Sequence, residues 1–133
     1  GGWGGGARRY RKMLGGGMRQ AGVLAATGLV AVTTMVERLA DDHRSAQALA
    51  QALATLPGIV LDPATVETNI LVFELAAGLD PVAFKAELLK AGLKITNFGP
   101  TRLRMVTHHG VEAADVALVV ETVSAVLAKL HRL

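Results

Sequence analysis

A chain of 133 residues is long enough for one domain that buries roughly two thirds of its unfolded surface. Hydrophobic residues make up 51% and charged residues 19%, which excludes a disordered chain. Aromatics are only 4%, so Ala, Val and Leu must build the core. Cysteine is absent, which removes disulfides, thiolate nucleophiles and thiolate-bound metals and is compatible with a cytoplasmic setting.

The net charge of +3 is unevenly spread. Arg8, Arg9, Arg11, Lys12 and Arg19 are the charges that precede Glu37, and all 11 acids lie from Glu37 onward. A basic arm therefore leads into a mildly acidic body. Such an arm suits a phosphate site, a nucleic-acid contact or a solvated face, and the solvated face is the commonest of these. Gly1-Gly2-Trp3-Gly4-Gly5-Gly6 fits no regular element, and the first methionine is Met13, so the sequence reads as a piece of a longer one. Residues 1–17 form a glycine-rich basic segment, and residues 18–133 are expected to form a small domain led by a long linking helix.

Gly15-Gly16-Gly17 closes the arm, and a helix is predicted from about Met18 to Val32. It is apolar nearly all round, which predicts burial on several sides. The uncharged run Ala21 to Val36 is about four residues short of the ~20 that span a bilayer. It contains Gly22 and Gly28 and continues into Glu37-Arg38-Leu39-Ala40-Asp41-Asp42. A buried core helix therefore fits better than a signal peptide or membrane anchor.

A second helix is predicted from about Met35 to Leu56, with Leu39, Ala46, Leu49, Ala50 and Leu53 on its inner side. Asp41-Asp42-His43 reads as an exposed patch of it. Pro57-Gly58 ends it. Ile59-Val60-Leu61 is a candidate short strand, Asp62-Pro63 a turn, and Val66 to Leu75 the clearest strand. Asp80 with Pro81 starts a third helix whose inner side is predicted as Val82, Phe84, Leu88 and Leu89. Gly92 stands where a left-handed residue should end it.

Lys94 to Asn97 and Arg102 to Thr107 read as a hairpin around Phe98-Gly99-Pro100-Thr101. A last helix, about Val111 to Lys129, carries the stripe Val116, Val119, Val120, Val123, Val126, Leu127 and Leu130. Glu112 and Asp115 sit at its positive end, and Lys129, His131 and Arg132 at its negative end. The order describes an α+β fold, with helices covering one face of a small, mostly antiparallel sheet.

Two places carry candidate chemistry. In Arg11-Lys12-Met13-Leu14-Gly15-Gly16-Gly17-Met18-Arg19-Gln20, a glycine turn flanked by cations feeds a helix start, an arrangement that can hold a phosphate. A plain linker is the commoner use of three glycines. In Arg102-Leu103-Arg104-Met105-Val106-Thr107-His108, alternation sends Leu103 and Met105 toward the helices and Arg102 and Arg104 to the other face. An arginine there can clamp a carboxylate with two parallel bonds, though a solvated arginine is commoner. His108-His109 is a poor metal pair, because adjacent strand residues point to opposite faces.

At these same places the chain resembles the threonine aldolases, whose fold is of the aspartate-aminotransferase type. The resemblance runs through the Arg11 to Gly22 segment, Arg38-Leu39-Ala40-Asp41-Asp42-His43, Thr68-Asn69 and Arg104-Met105-Val106-Thr107-His108, in family order. It implies pyridoxal 5′-phosphate as cofactor, with Lys12 and Arg19 around its phosphate, in the same or a neighbouring subunit of a homo-oligomer such as a tetramer. It implies Arg104 as the group that holds the substrate's α-carboxylate, with Asn69 nearby. The implied reaction cleaves a β-hydroxy-α-amino acid to glycine and an aldehyde. Nucleic acid and membrane are not expected partners.

The family's cofactor lysine stands in a Ser-Lys-Gly context, which none of Lys12, Lys85, Lys90, Lys94 and Lys129 has. The large N-terminal domain of the family is expected as a missing partner. No catalytic residue is therefore expected in this chain, which should be inactive alone. The alternative is a non-catalytic interaction or oligomerisation domain of the same fold.

Overall fold

The computed structural model describes residues 2–131. The chain forms two compact units, divided between Glu37 and Arg38.

The first unit holds two helices. Helix α1 spans Gly2–Met13, where the sequence predicted no regular element. Its C-terminal half, Ala7 to Met13, consists mostly of strong helix formers, with Arg11 and Lys12 in the last turn where the dipole favours cations. These outweigh the glycines, each of which costs about 1 kcal/mol relative to alanine. The helix ends in a Schellman turn. Gly15 takes φ +77°, its N–H donates to Lys12 O at 3.1 Å, and the Gly16 N–H donates to Arg11 O at 2.8 Å. A Cβ on Gly16 would lie 3.0 Å from that same Arg11 oxygen. The triple glycine is thus a helix stop with specific backbone demands at two positions.

Helix α2 spans Gly22–Thr34, starting later than predicted. The expectation of burial on several sides fails: none of its residues is buried. Leu24 and Leu29 are 60% and 63% exposed. Apolar character all round the helix demands burial only if a surface exists to receive it, and the described residues leave α2 uncovered.

The second unit begins with α3, Leu39–Leu53, shorter at both ends than predicted. Ala46, Leu49, Ala50 and Leu53 form its buried stripe, while Leu39 at the first turn stays exposed. Strand β1 is Ile59–Val60. A 3₁₀ turn at Pro63–Thr65 follows, capped by the Asp62 carboxylate on the Ala64 N–H at 2.9 Å. Strand β2 is Ile70–Leu75, so the predicted strand loses its first four residues.

Helix α4 spans Pro81–Lys90. The Asp80 carboxylate accepts from the Val82 and Ala83 N–H groups, and Gly92 at φ +85° follows the helix end as expected. Phe84 and Leu88 are buried, but Val82 and Leu89, predicted inward, are 74% and 60% exposed. Only a narrow stripe of this short helix meets the sheet.

Strands β3, Thr96–Phe98, and β4, Arg102–Val106, form the expected hairpin, and α5, Ala113–Leu130, ends the unit. The Glu112 N–H donates to the Asp115 carboxylate at 2.8 Å at the start of α5. At its other end, Lys129 and His131 lie where expected; Arg132 lies outside the described residues.

The sheet order is β1-β2-β4-β3, with every neighbouring pair antiparallel. Helices α3, α4 and α5 supply buried side chains to one core with Leu71, Phe73, Leu103 and Met105 of the sheet. Phe73 and Phe84 meet edge to face, with ring centroids 6.4 Å apart. The α5 stripe predicted from spacing lines this core, with Val123, Val126 and Leu127 buried. The opposite face of the sheet carries no helix of this unit.

Candidate functional site

Alternation along β4 divides its side chains as the sequence predicts. Leu103 and Met105 are buried, while Arg102 and Arg104 project from the uncovered face. Register places Arg104 between Val72 of β2 and Thr96 of β3. Arg102 stands between Glu74 and Phe98.

The two arginines have different surroundings. The Arg102 guanidinium lies 5.5 Å from the centroid of the Phe98 ring, and its Nε is 4.0 Å from the Glu74 carboxylate. Glu74 also accepts from the Thr101 hydroxyl at 3.4 Å. Arg104 is half-buried, and its Nε donates to Thr96 Oγ1 at 3.2 Å. Among the described residues, no carboxylate forms an ion pair with Arg104. Its charge is therefore uncompensated, and with Nε engaged its two terminal nitrogens form the fork left for a carboxylate.

Asn69 is tied to the end of β4. Its side-chain amide donates to Thr107 O at 2.7 Å, and its own carbonyl accepts from the Thr107 N–H at 2.9 Å. The Thr107 hydroxyl in turn donates to Asp42 O at 2.7 Å. Thr107 is 2% exposed, so this network locks the ends of β2 and β4 to the first turn of α3.

Asp42 departs from expectation. Asp41 and His43 are exposed, but Asp42 is buried. Its carboxylate takes two bonds from Arg38, at 2.6 and 3.1 Å. The i,i+4 spacing of Arg38 and Asp42 was a readable sign of this pair. Burial came from Thr107, which draws this turn of α3 onto the sheet. Thr96 and Glu74, the partners of the two strand arginines, were also missed. Their signal was the hairpin register and the β2 alternation.

Lys12 and Arg19 both lie in the N-terminal unit, on either side of the glycine stop, with exposed side chains. The start of α2 has no side-chain cap and no acid in its first turn. Two cations and an uncapped helix start can receive an anion such as a phosphate. The structure thus places Lys12 and Arg19 in one unit and Arg104 in the other.

A groove of about 910 Å³ runs between α3 and α5, lined by Ala48, Ala52, Val116 and Val120 with Arg44 and Glu121 at its margin. It lies on the helical side of the second unit, away from the face that carries Arg104. Among the described residues, no helix is long and apolar enough by itself to cross a membrane.

A four-stranded antiparallel sheet covered by helices on one face is the arrangement expected of the small C-terminal domain of the aspartate-aminotransferase type of fold. In agreement, a solved variant of a cystine C–S lyase with glycine covalently linked to its PLP cofactor superimposes with a TM-score of 0.65 at 18% identity. That match covers 78% of this chain and 28% of the lyase. The family model for beta-eliminating lyases matches residues 5–76. A low-specificity L-threonine aldolase of Arabidopsis thaliana is 38% identical over 112 residues, covering 83% of this chain and 31% of that protein. The low specificity L-threonine aldolase of Escherichia coli K12 is 37% identical over 123 residues, covering 92% of this chain and 35% of the enzyme. The chain belongs to the beta-eliminating lyase family, within its threonine-aldolase branch. It spans about a third of the length of these aldolases.

Proposed function

We propose that this chain forms the carboxylate-binding and phosphate-binding part of a pyridoxal-phosphate-dependent carbon–carbon lyase. The proposed substrates are β-hydroxy-α-amino acids, threonine or allo-threonine, and the products are glycine and acetaldehyde. The observation that carries the proposal is Arg104, a half-buried, uncompensated guanidinium held on the uncovered face of the sheet. Arg102 is the poorer candidate, because Glu74 and Phe98 already engage it.

The donor set suits the cofactor. A phosphate dianion needs cations and free N–H donors, and Lys12, Arg19 and the uncapped start of α2 provide both. Bound there, pyridoxal phosphate supplies the electron sink that lets the Cα–Cβ bond break. Arg104 grips the α-carboxylate, and a fixed carboxylate orients the bond to be broken. The lysine that carries the cofactor would come from polypeptide outside these 133 residues, since none of the five lysines has the Ser-Lys-Gly context.

The uncovered apolar surface of α2 favours a second reading, in which the chain is an interaction or oligomerisation domain without chemistry. Kinetics on a complete, cofactor-loaded enzyme that contains these 133 residues separate the two. Arg104→Ala should raise KM for threonine by at least about tenfold, the scale of a lost charge-assisted bond. Arg19→Ala should release cofactor on dialysis, followed by its visible absorbance. Unchanged KM and turnover in the first variant, with full cofactor retention in the second, would reject the proposal.

A further inference from the structure

The fork of Arg104 is useful only if it is held still. An arginine side chain on an open sheet face has many rotamers, and a carboxylate must first collect them into one. Among the described residues this guanidinium is held through one polar side chain, Thr96 Oγ1, at 3.2 Å from Nε. Thr96 lies directly opposite Arg104 in the β3–β4 register, so the bond spans one rung of the ladder. On the other side stands Val72, which has no acceptor. Thr96 is β-branched, with few χ1 options in a strand, and so presents its hydroxyl in a defined place.

From this geometry we infer that Thr96 is a positioning residue for substrate recognition, acting through Arg104. It accepts the Nε–H, fixes the guanidinium plane and leaves the end-on fork of the two terminal nitrogens for the carboxylate. A side-on approach through Nε is closed. The inference rests on the assignment of Arg104 as the carboxylate clamp. It adds that the hydroxyl at position 96, and not merely a strand-compatible side chain, sets the affinity.

Three variants and two readouts test it. Thr96→Val keeps the shape and strand preference and removes only the acceptor. In a complete, cofactor-loaded enzyme that contains these residues it should raise KM for threonine about fivefold with kcat nearly unchanged, the scale of ordering one long side chain that is no longer held. Thr96→Ser should restore KM to within about twofold of the parent on the same grounds. The bond lies at the surface, so in the 133-residue chain labelled with ¹⁵N-arginine the Nε–H resonance of Arg104 should exchange with water measurably more slowly than a free guanidinium in the parent and in Thr96→Ser. It should exchange quickly in Thr96→Val.

If Arg104→Ala leaves KM unchanged, the clamp assignment itself falls. If Arg104→Ala raises KM but Thr96→Val does not, the clamp stands and the role of Thr96 is overturned. Equal losses in Thr96→Val and Thr96→Ser, or unaltered exchange in Thr96→Val, overturn it as well.

Discussion

Arg102 and Arg104 show how strongly neighbours decide what one side chain can do. Both project from the same face of one strand, yet one is engaged by a carboxylate and a ring and the other has no ion-pair partner among the described residues. Asp42 is the reverse case, an acid drawn inside and matched there. Its side chain is 7% exposed, and its carboxylate accepts from both terminal nitrogens of Arg38, whose side chain is 24% exposed. Removing one member of such a pair leaves the other poorly solvated. Asp42→Ala should therefore lower unfolding stability by about 1–3 kcal/mol, measured by urea denaturation. A change within error would mean that Arg38 swings out to water at no cost. Thr107 is untouched by this substitution, since its hydroxyl bonds the Asp42 backbone carbonyl.

Helices α4 and α5 are joined by a charge cluster as well as by packing. Glu87 of α4 accepts from Lys129 of α5 and from Lys90 of its own helix. Those two ammonium groups, Lys129 first, hold its carboxyl below the ordinary value. A depressed value in the folded state stabilises above the unfolded value and is lost as pH falls through the folded one. Glu87→Gln should therefore lower the urea midpoint slightly at neutral pH. The difference from the parent should vanish once the pH drops below the ordinary carboxylate range. A difference that persists in acid would assign the effect to packing. The site is exposed to salt, so added salt should shrink the difference too.

Across the whole chain, apolar surface is distributed unequally. The second unit gathers its apolar stripes into one core, whereas α2 in the first unit buries none of its residues. A helix surface of this kind seeks a partner, either another domain or another copy. Leu24→Glu combined with Leu29→Glu should reduce self-association of the 133-residue chain in sedimentation velocity while its circular dichroism stays nearly the same. Undiminished association would place the contact on another surface. The outcome bears on the oligomerisation reading without touching the residues of the sheet.

Much of the second unit could be read from residue order. A period of two in Arg102 to Val106 separates core from open face. The i, i+3, i+4 stripes of α3 and α5 mark their inner sides. Asp80-Pro81 and Gly92 bracket α4. These features follow from local geometry, which repeats along a chain and needs no knowledge of distant partners. The same geometry placed Arg104 on the uncovered face. Three-dimensional packing alone revealed the remainder. It chose which apolar residues of α4 meet the sheet, leaving Val82 and Leu89 in water. It drew Asp42 inward through Thr107, 65 residues away. It paired Arg104 with Thr96 and Arg102 with Glu74, and it left α2 bare. Contacts between segments remote in sequence depend on which surfaces finally meet, and no periodicity within one segment records that.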